Sequence, residues 1–110
     1  ETFEDFFNLN DLTYDIIPFT GRSDYGPYLE AGIPAGGVET GAELIKDEEG
    51  RTKFGGLANA AYDPCYHQAC DTIDNVNTEV FLQTSQSAAY ALERFATTSD
   101  LRQLLSNLQK

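Results

Sequence analysis

The sequence predicts an α/β fold with few strands and a long helix near the C-terminus. Residues 77–97 join a capping asparagine to an apolar stripe at helical spacing, the pattern of an amphipathic helix. Residues 14–19 (YDIIPF) and 35–40 (AGGVET) have the apolar and β-branched character of short strands. Two strands make a poor sheet by themselves. The pattern therefore reads as the closing part of a larger α/β domain, with residues 1–110 forming its C-terminal portion.

Each element has a local reason. Residues 1–10 read as the end of a helix, with Phe3, Phe6, Phe7 and Leu9 on one broad apolar side. Pro18 makes the first strand an edge strand or ends it, because proline donates no ladder hydrogen bond. Residues 25–31 are expected to form a short helix capped by Asp24 and closed by a turn at Gly32, Ile33 and Pro34. Gly36 and Gly37 weaken the second strand and suggest close backbone approach. Residues 46–59 are polar and contain glycine, so a long loop is expected there. In the long helix Asn77 is the cap and Glu79 suits the positive N-terminal end. Its expected stripe is Val80, Phe81, Ala88, Leu92 and Phe95. A last helix, capped by Thr98 or Ser99, places Leu101, Leu104, Leu105 and Leu108 on one face that packs on a neighbour.

The chain carries 18 acidic side chains against 7 basic ones, a net charge of -11. Such a surface lacks the basic residues that a phosphate backbone requires, which excludes nucleic acid as a partner. It also repels an anionic membrane. No apolar run approaches the roughly 18–20 residues of a membrane span. The chain opens at Glu1 and holds no Met, so a processed chain or a piece of a longer one is expected.

Chemistry concentrates in DPCYHQACDT, residues 63–72, which holds both cysteines and the single histidine. Cys-x4-Cys is the wrong spacing for a thioredoxin-type pair. A structural zinc site needs four Cys or His ligands, and the chain has two Cys and one His in all. The residues favour a local disulfide and an oxidising compartment, secreted or vacuolar; a pair of reduced structural thiols is the alternative. Closing a ring this small adds only ~2 kcal/mol to stability, so its use is to fix geometry around Tyr66 and His67. Asp63 and Asp71 bracket the histidine. A carboxylate behind an imidazole can fix its tautomer and strengthen it as a metal ligand, and the spacing leaves open which aspartate reaches it. A lone histidine is otherwise a structural or surface residue. In GRSDYGP, residues 21–27, Arg22 could grip a carboxylate through two parallel hydrogen bonds; an ion pair with Asp24 inside the loop is the alternative.

GRSDYGPYLEAGIPAGGVETGAE (residues 21–43) together with YDPCYHQACDT (residues 62–72) resembles the C-terminal part of the dizinc aminopeptidases. That is the secreted or vacuolar group that includes aminopeptidase Y, with glutamate carboxypeptidase and the catalytically dead transferrin receptor as distant kin. The resemblance implies a three-layer α/β/α zinc-peptidase domain, with a mixed sheet and helices on both faces. It implies release of an N-terminal amino acid from a peptide by two zinc ions, which share a bridging aspartate and a water. A glutamate is then the general base, and the metals and a tyrosine stabilise the oxyanion. On matching positions, His67 takes the place of the last zinc ligand and Tyr66 that of the oxyanion-stabilising tyrosine. Cys65 and Cys70 match the family's disulfide, and Arg22 matches an arginine near the substrate's carboxyl side.

The other zinc ligands and the general base lie upstream of anything present here. At most one ligand comes from this chain, which alone is expected to be incompetent. Its expected partners are the N-terminal portion of the same enzyme and a peptide with a free N-terminus. Glu39 is a departure: relatives often read GGLFTGAE where this sequence reads GGVETGAE. A less apolar specificity pocket, favouring a basic or polar first residue, is one expectation; a solvent-facing Glu39 is the other. A second reading is a catalytically dead, metal-free binding or structural domain of the same fold, against which the retention of both Tyr66 and His67 speaks. A third, an unrelated acidic module, would make two long motif matches accidental.

Overall fold

The computed structural model describes residues 2–108, and their side chains as far as residue 107. Glu1 of the expected first helix and the side chain of Leu108 in the expected last stripe lie outside the described residues. The elements are α1 (Thr2–Leu9), α2 (Gly26–Glu30), β1 (Ile45–Lys46), α3 (Glu48–Phe54), β2 (Ala60–Ala61), a 3-10 turn (Ile73–Asn75), α4 (Thr78–Thr97) and α5 (Leu101–Leu108). They fall into two compact units, one of Glu1–Val38 with Ser87–Lys110 and one of Glu39–Gln86.

In the first unit α1 packs on the C-terminal half of α4. Phe6 is buried, with its ring 5.7 Å from that of Tyr90. Beside it the Asp5 carboxylate accepts a hydrogen bond from the Arg94 guanidinium, which raises the pKa of Arg94. The buried line on α4 is therefore Ser87 and Ala91, flanked by Tyr90 and Arg94. Of the expected stripe Val80 and Phe95 are half-buried, whereas Phe81, Ala88 and Leu92 are exposed. Leu9, although three residues after Phe6, is largely exposed.

Helix α1 ends in a left-handed residue, Asp11 (φ 52°), with Leu12 N–H bonded to Phe7 O at 2.9 Å. Helix α2 ends the same way. Gly32 (φ 72°) donates to Leu29 O at 2.9 Å and Ile33 donates to Tyr28 O at 2.8 Å, which is the expected turn in Schellman form. The cap position of α2 is Tyr25, with no side-chain cap bond, so Asp24 does not have the expected role. Pro27, in the first turn, supplies a helix-ready φ instead. The cap of α5 is likewise Asp100, whose Oδ1 accepts Gln103 N–H at 2.9 Å, in place of Thr98 or Ser99. The cap of α4 is Asn77 as expected: its Oδ1 accepts Glu79 N–H at 3.1 Å and Val80 N–H at 3.2 Å.

Neither expected strand forms. Residues 14–19 and 35–40 have no regular secondary structure, and Ile16 and Phe19 are exposed. A strand is defined by its partner, and among the described residues none lies alongside them. Nor do Gly36 and Gly37 mark a close approach. An added Cβ would be 3.8 Å from the Phe3 ring at Gly36 and would meet nothing within 4 Å at Gly37.

The second unit is built on a short antiparallel ladder, β1 with β2, in the register Ile45 with Ala61 and Lys46 with Ala60. The ladder continues through Tyr62 N–H to Leu44 O (3.0 Å) and Asp63 N–H to Ala42 O (2.8 Å). Gly41 is required here: at φ 93° an added Cβ would be 2.6 Å from the Tyr62 ring. The expected loop at 46–59 instead contains α3. Asp47 caps it by accepting Gly50 N–H at 2.7 Å, acidic Glu48 and Glu49 open it and Gly55 ends it. Lys46 is buried beneath it, with Nζ donating to Gly55 O at 2.8 Å and lying 4.7 Å from the Tyr62 ring centroid.

Candidate functional site

The ladder delivers the chain, at Asp63, into a tight loop. Asp63 precedes Pro64, and its Oδ1 accepts the Cys65 N–H at 2.9 Å, an Asx turn. Gln68 N–H then bonds Cys65 O at 2.8 Å and Asp71 N–H bonds Gln68 O at 3.0 Å. These successive turns bring Cys65 and Cys70 to a Cα separation of 5.2 Å, and they are joined as a disulfide. No free cysteine is present among the described residues.

Inside this ring His67 is left-handed, at φ 56°. That conformation is uncommon away from glycine, though histidine adopts it more readily than most residues. It lays the imidazole against the preceding phenol, with the Tyr66 and His67 ring centroids 4.0 Å apart and their planes inclined by 46°. His67 is exposed and Tyr66 half-buried. Among the described residues no hydrogen bond joins Asp63 or Asp71 to the imidazole. Asp63 is instead engaged by Cys65 and by Asn75, whose Nδ2 donates to the same oxygen at 3.0 Å.

The sequence-predicted residues are distributed as follows. Cys65, Tyr66, His67 and Cys70 share the loop. Glu39 is exposed in the same unit, two residues ahead of Gly41. Arg22 belongs to the first unit and is exposed on a turn that Tyr25 organises. The Tyr25 hydroxyl accepts Thr20 N–H at 2.9 Å and Gly21 N–H at 3.0 Å, and lies 3.5 Å from Thr20 Oγ1. These bonds, that to the Thr20 side chain foremost, hold the phenol below its ordinary pKa. Sequence reasoning missed Tyr25 and the Asp63–Asn75 bond. The first carries no sequence signal, whereas the Asp-Pro pair at 63–64 does mark an Asx turn.

Chemically, an exposed imidazole suits one metal bond, and the adjacent phenol is a hydrogen-bond donor. A whole metal site does not fit here. Among the described residues no group of three or more His, Cys, Asp or Glu side chains could hold a metal ion, and a catalytic zinc takes about three protein ligands. No helix is long and apolar enough to cross a membrane among the described residues.

Comparison with known proteins gives this loop a context. The sequence matches peptidase family M28 over residues 8–92. It is 45% identical over 94 residues to the probable leucine aminopeptidase 2 of Aspergillus oryzae, covering 86% of this chain and 19% of that protein. It is 41% identical over 96 residues to leucine aminopeptidase 2 of Arthroderma otae, covering 87% of this chain and 19% of that protein. With the probable leucine aminopeptidase 2 of Aspergillus fumigatus it shares 43% identity over 98 residues, 89% of this chain and 20% of the relative. The chain thus spans about a fifth of the length of the curated relatives it matches. Since the match runs from α1 through the disulfide loop and into α4, this chain belongs to peptidase family M28.

Proposed function

We propose that these residues form the C-terminal portion of the catalytic domain of a metallo-aminopeptidase, which removes the N-terminal residue from a peptide. The observation that carries this reading is the Tyr66–His67 unit. A phenol and an exposed imidazole are held 4.0 Å apart on a disulfide-closed loop, inside the segment matched to the family. His67 holds one of two zinc ions through its imidazole. When bound, zinc supplies a Lewis acid and a water of lowered pKa. Tyr66 donates its hydroxyl proton in a hydrogen bond to the scissile carbonyl oxygen as charge develops there. Arg22 receives the carboxyl side of the substrate through its guanidinium.

The remaining ligands and the general base are supplied by the N-terminal portion of the same enzyme, and the isolated chain is inactive. Its surface supports that reading. Ile73 is 83% exposed, Ile16 76% and Leu57 75%, while the buried hydrophobic residues among those described are Phe6 and Ala91. Apolar surface of this kind is covered by partner segments in a finished domain. The three-layer α/β/α architecture is then completed by strands from that portion. The disulfide favours an oxidising compartment, secreted or vacuolar. The relatives' names point to N-terminal leucine as a substrate, and Glu39 widens the pocket's preference toward basic or polar residues.

The test is hydrolysis of leucine and arginine anilides by the full-length protein that contains this sequence, with zinc measured on the same sample. Two zinc equivalents are expected, with activity lost to a chelator and restored by zinc. The 110-residue piece should be inactive. A folded full-length protein without zinc or hydrolysis would point to the metal-free binding domain instead.

A further inference from the structure

We infer that Asp63 is a positioning residue for Tyr66 and His67, acting on the backbone of their loop and not on the imidazole. A single oxygen, Oδ1, accepts the Cys65 N–H at 2.9 Å and the Asn75 Nδ2 at 3.0 Å. The first bond fixes the direction in which the chain enters the disulfide ring. The second reaches the 3-10 turn Ile73–Asn75, after the chain has left the ring. Entry and exit are thus tied to one atom. The main chain of Asp63 is fixed as well: its N–H donates to Ala42 O at 2.8 Å, and its carbonyl accepts Tyr66 N–H at 3.3 Å.

This tie has a task. His67 holds φ 56°, and a non-glycine residue keeps that conformation only where its surroundings determine it. A covalent link between Cys65 and Cys70 closes the ring but leaves it free to swing on its two flanks. Asp63 removes that freedom by joining the flanks to each other and to the ladder. The direction of the imidazole and its contact with the Tyr66 ring then follow from the carboxylate as much as from the disulfide. The inference rests on the proposed roles of Tyr66 and His67.

The test compares Asp63→Ala and Asp63→Asn in the full-length protein. The readouts are kcat and KM on leucine anilide, zinc kept during dialysis against a weak chelator, and the rate at which dithiothreitol opens Cys65–Cys70, followed by mass. Asparagine keeps an acceptor oxygen for both bonds, while it removes the charge and replaces the second oxygen by an amide nitrogen. Asp63→Ala is expected to lower kcat roughly 10–100-fold with little change in KM, as loss of support behind a metal ligand does. It should also lose zinc sooner and open its disulfide several-fold faster, while Asp63→Asn recovers most of all three. An alanine variant matching wild type, or an asparagine variant as poor as alanine, would overturn the inference. If Asp63→Ala does not fold, Asn75→Ala removes one of the two bonds and must still speed disulfide opening; an unchanged rate overturns it equally. A wild-type protein lacking zinc and activity would remove the functional reading, and the disulfide rates would still decide the role of Asp63.

Discussion

The phenol of Tyr66 lies against the imidazole of His67 although the two are neighbours in the chain, with centroids 4.0 Å apart. Adjacent side chains in an extended segment point to opposite sides. The left-handed backbone at His67, inside the Cys65–Cys70 ring, reverses that and places the phenol beside the imidazole, the pair proposed above to stabilise the oxyanion and to hold zinc. The two roles can therefore be separated by substitution.

Tyr66→Phe in the full-length protein should lower kcat by about 10²–10³-fold, the effect of removing one oxyanion donor. Zinc content should stay at the wild-type value. Steady-state kinetics with metal analysis checks this, and zinc lost in proportion to activity would assign Tyr66 a metal-holding role instead.

His67→Ala should do the reverse and lose zinc first. Activity should fall by more than the roughly 10–100-fold that follows loss of a residue behind a ligand. Excess zinc during assay should recover part of it, because the remaining ligands are intact. Activity that survives with full zinc occupancy would show that His67 is not a ligand.

Much of this region is legible in the sequence because its signals are local. Asn77 announces α4, and the spacing of Cys65 and Cys70 around a Tyr-His pair marks the loop. What was not legible depends on partners. Residues 14–19 have the composition of a strand but find none to pair with among the described residues. Helix α3 was hidden because Gly50 and Gly55 give residues 46–59 the look of a loop, although Asp47 followed by two glutamates is a helix start. On α4 the buried positions are the small residues Ser87 and Ala91, whereas Phe81 and Leu92, which the spacing of larger apolar residues picks out, are exposed. The bond between Asp63 and Asn75 crosses twelve positions, and no periodicity signals it.

Tyr25 gives a pH-dependent signature. Its hydroxyl is held below the ordinary phenol pKa by Thr20 and by the backbone that follows. The unfolded chain therefore binds the extra proton between the two pKa values, and stability rises with pH across that window. The contribution is complete above the unfolded value near 10 and is lost as pH falls through the lower folded value. Absorbance titration near 295 nm should show one phenol ionising early, and Tyr25→Phe should remove that step. A titration unchanged by the substitution would count against the Thr20–Tyr25 bond.

Two stability experiments probe the packing of each unit. In the second, Lys46→Met keeps the aliphatic stem and removes the ammonium bonded to Gly55 O, and should cost about 1.5–3 kcal/mol. In the first, the Arg94–Asp5 pair is partly exposed, so a double-mutant cycle should give a coupling of only about 0.2–1 kcal/mol. The raised pKa of Arg94 places loss of that pair above the folded value, so as pH rises it should persist throughout the neutral range. Urea unfolding of the full-length variants measures both, and a Lys46→Met variant as stable as wild type would show that the buried ammonium contributes nothing net.

The central claim is that the loop closed by Cys65 and Cys70 presents His67 to a metal ion whose other ligands come from elsewhere in the enzyme. Anomalous diffraction at the zinc edge from crystals of the full-length protein tests it most directly. A peak about 2.0–2.1 Å from an imidazole nitrogen of His67 is the predicted result. Zinc peaks in the same crystals with none in contact with His67 would contradict it.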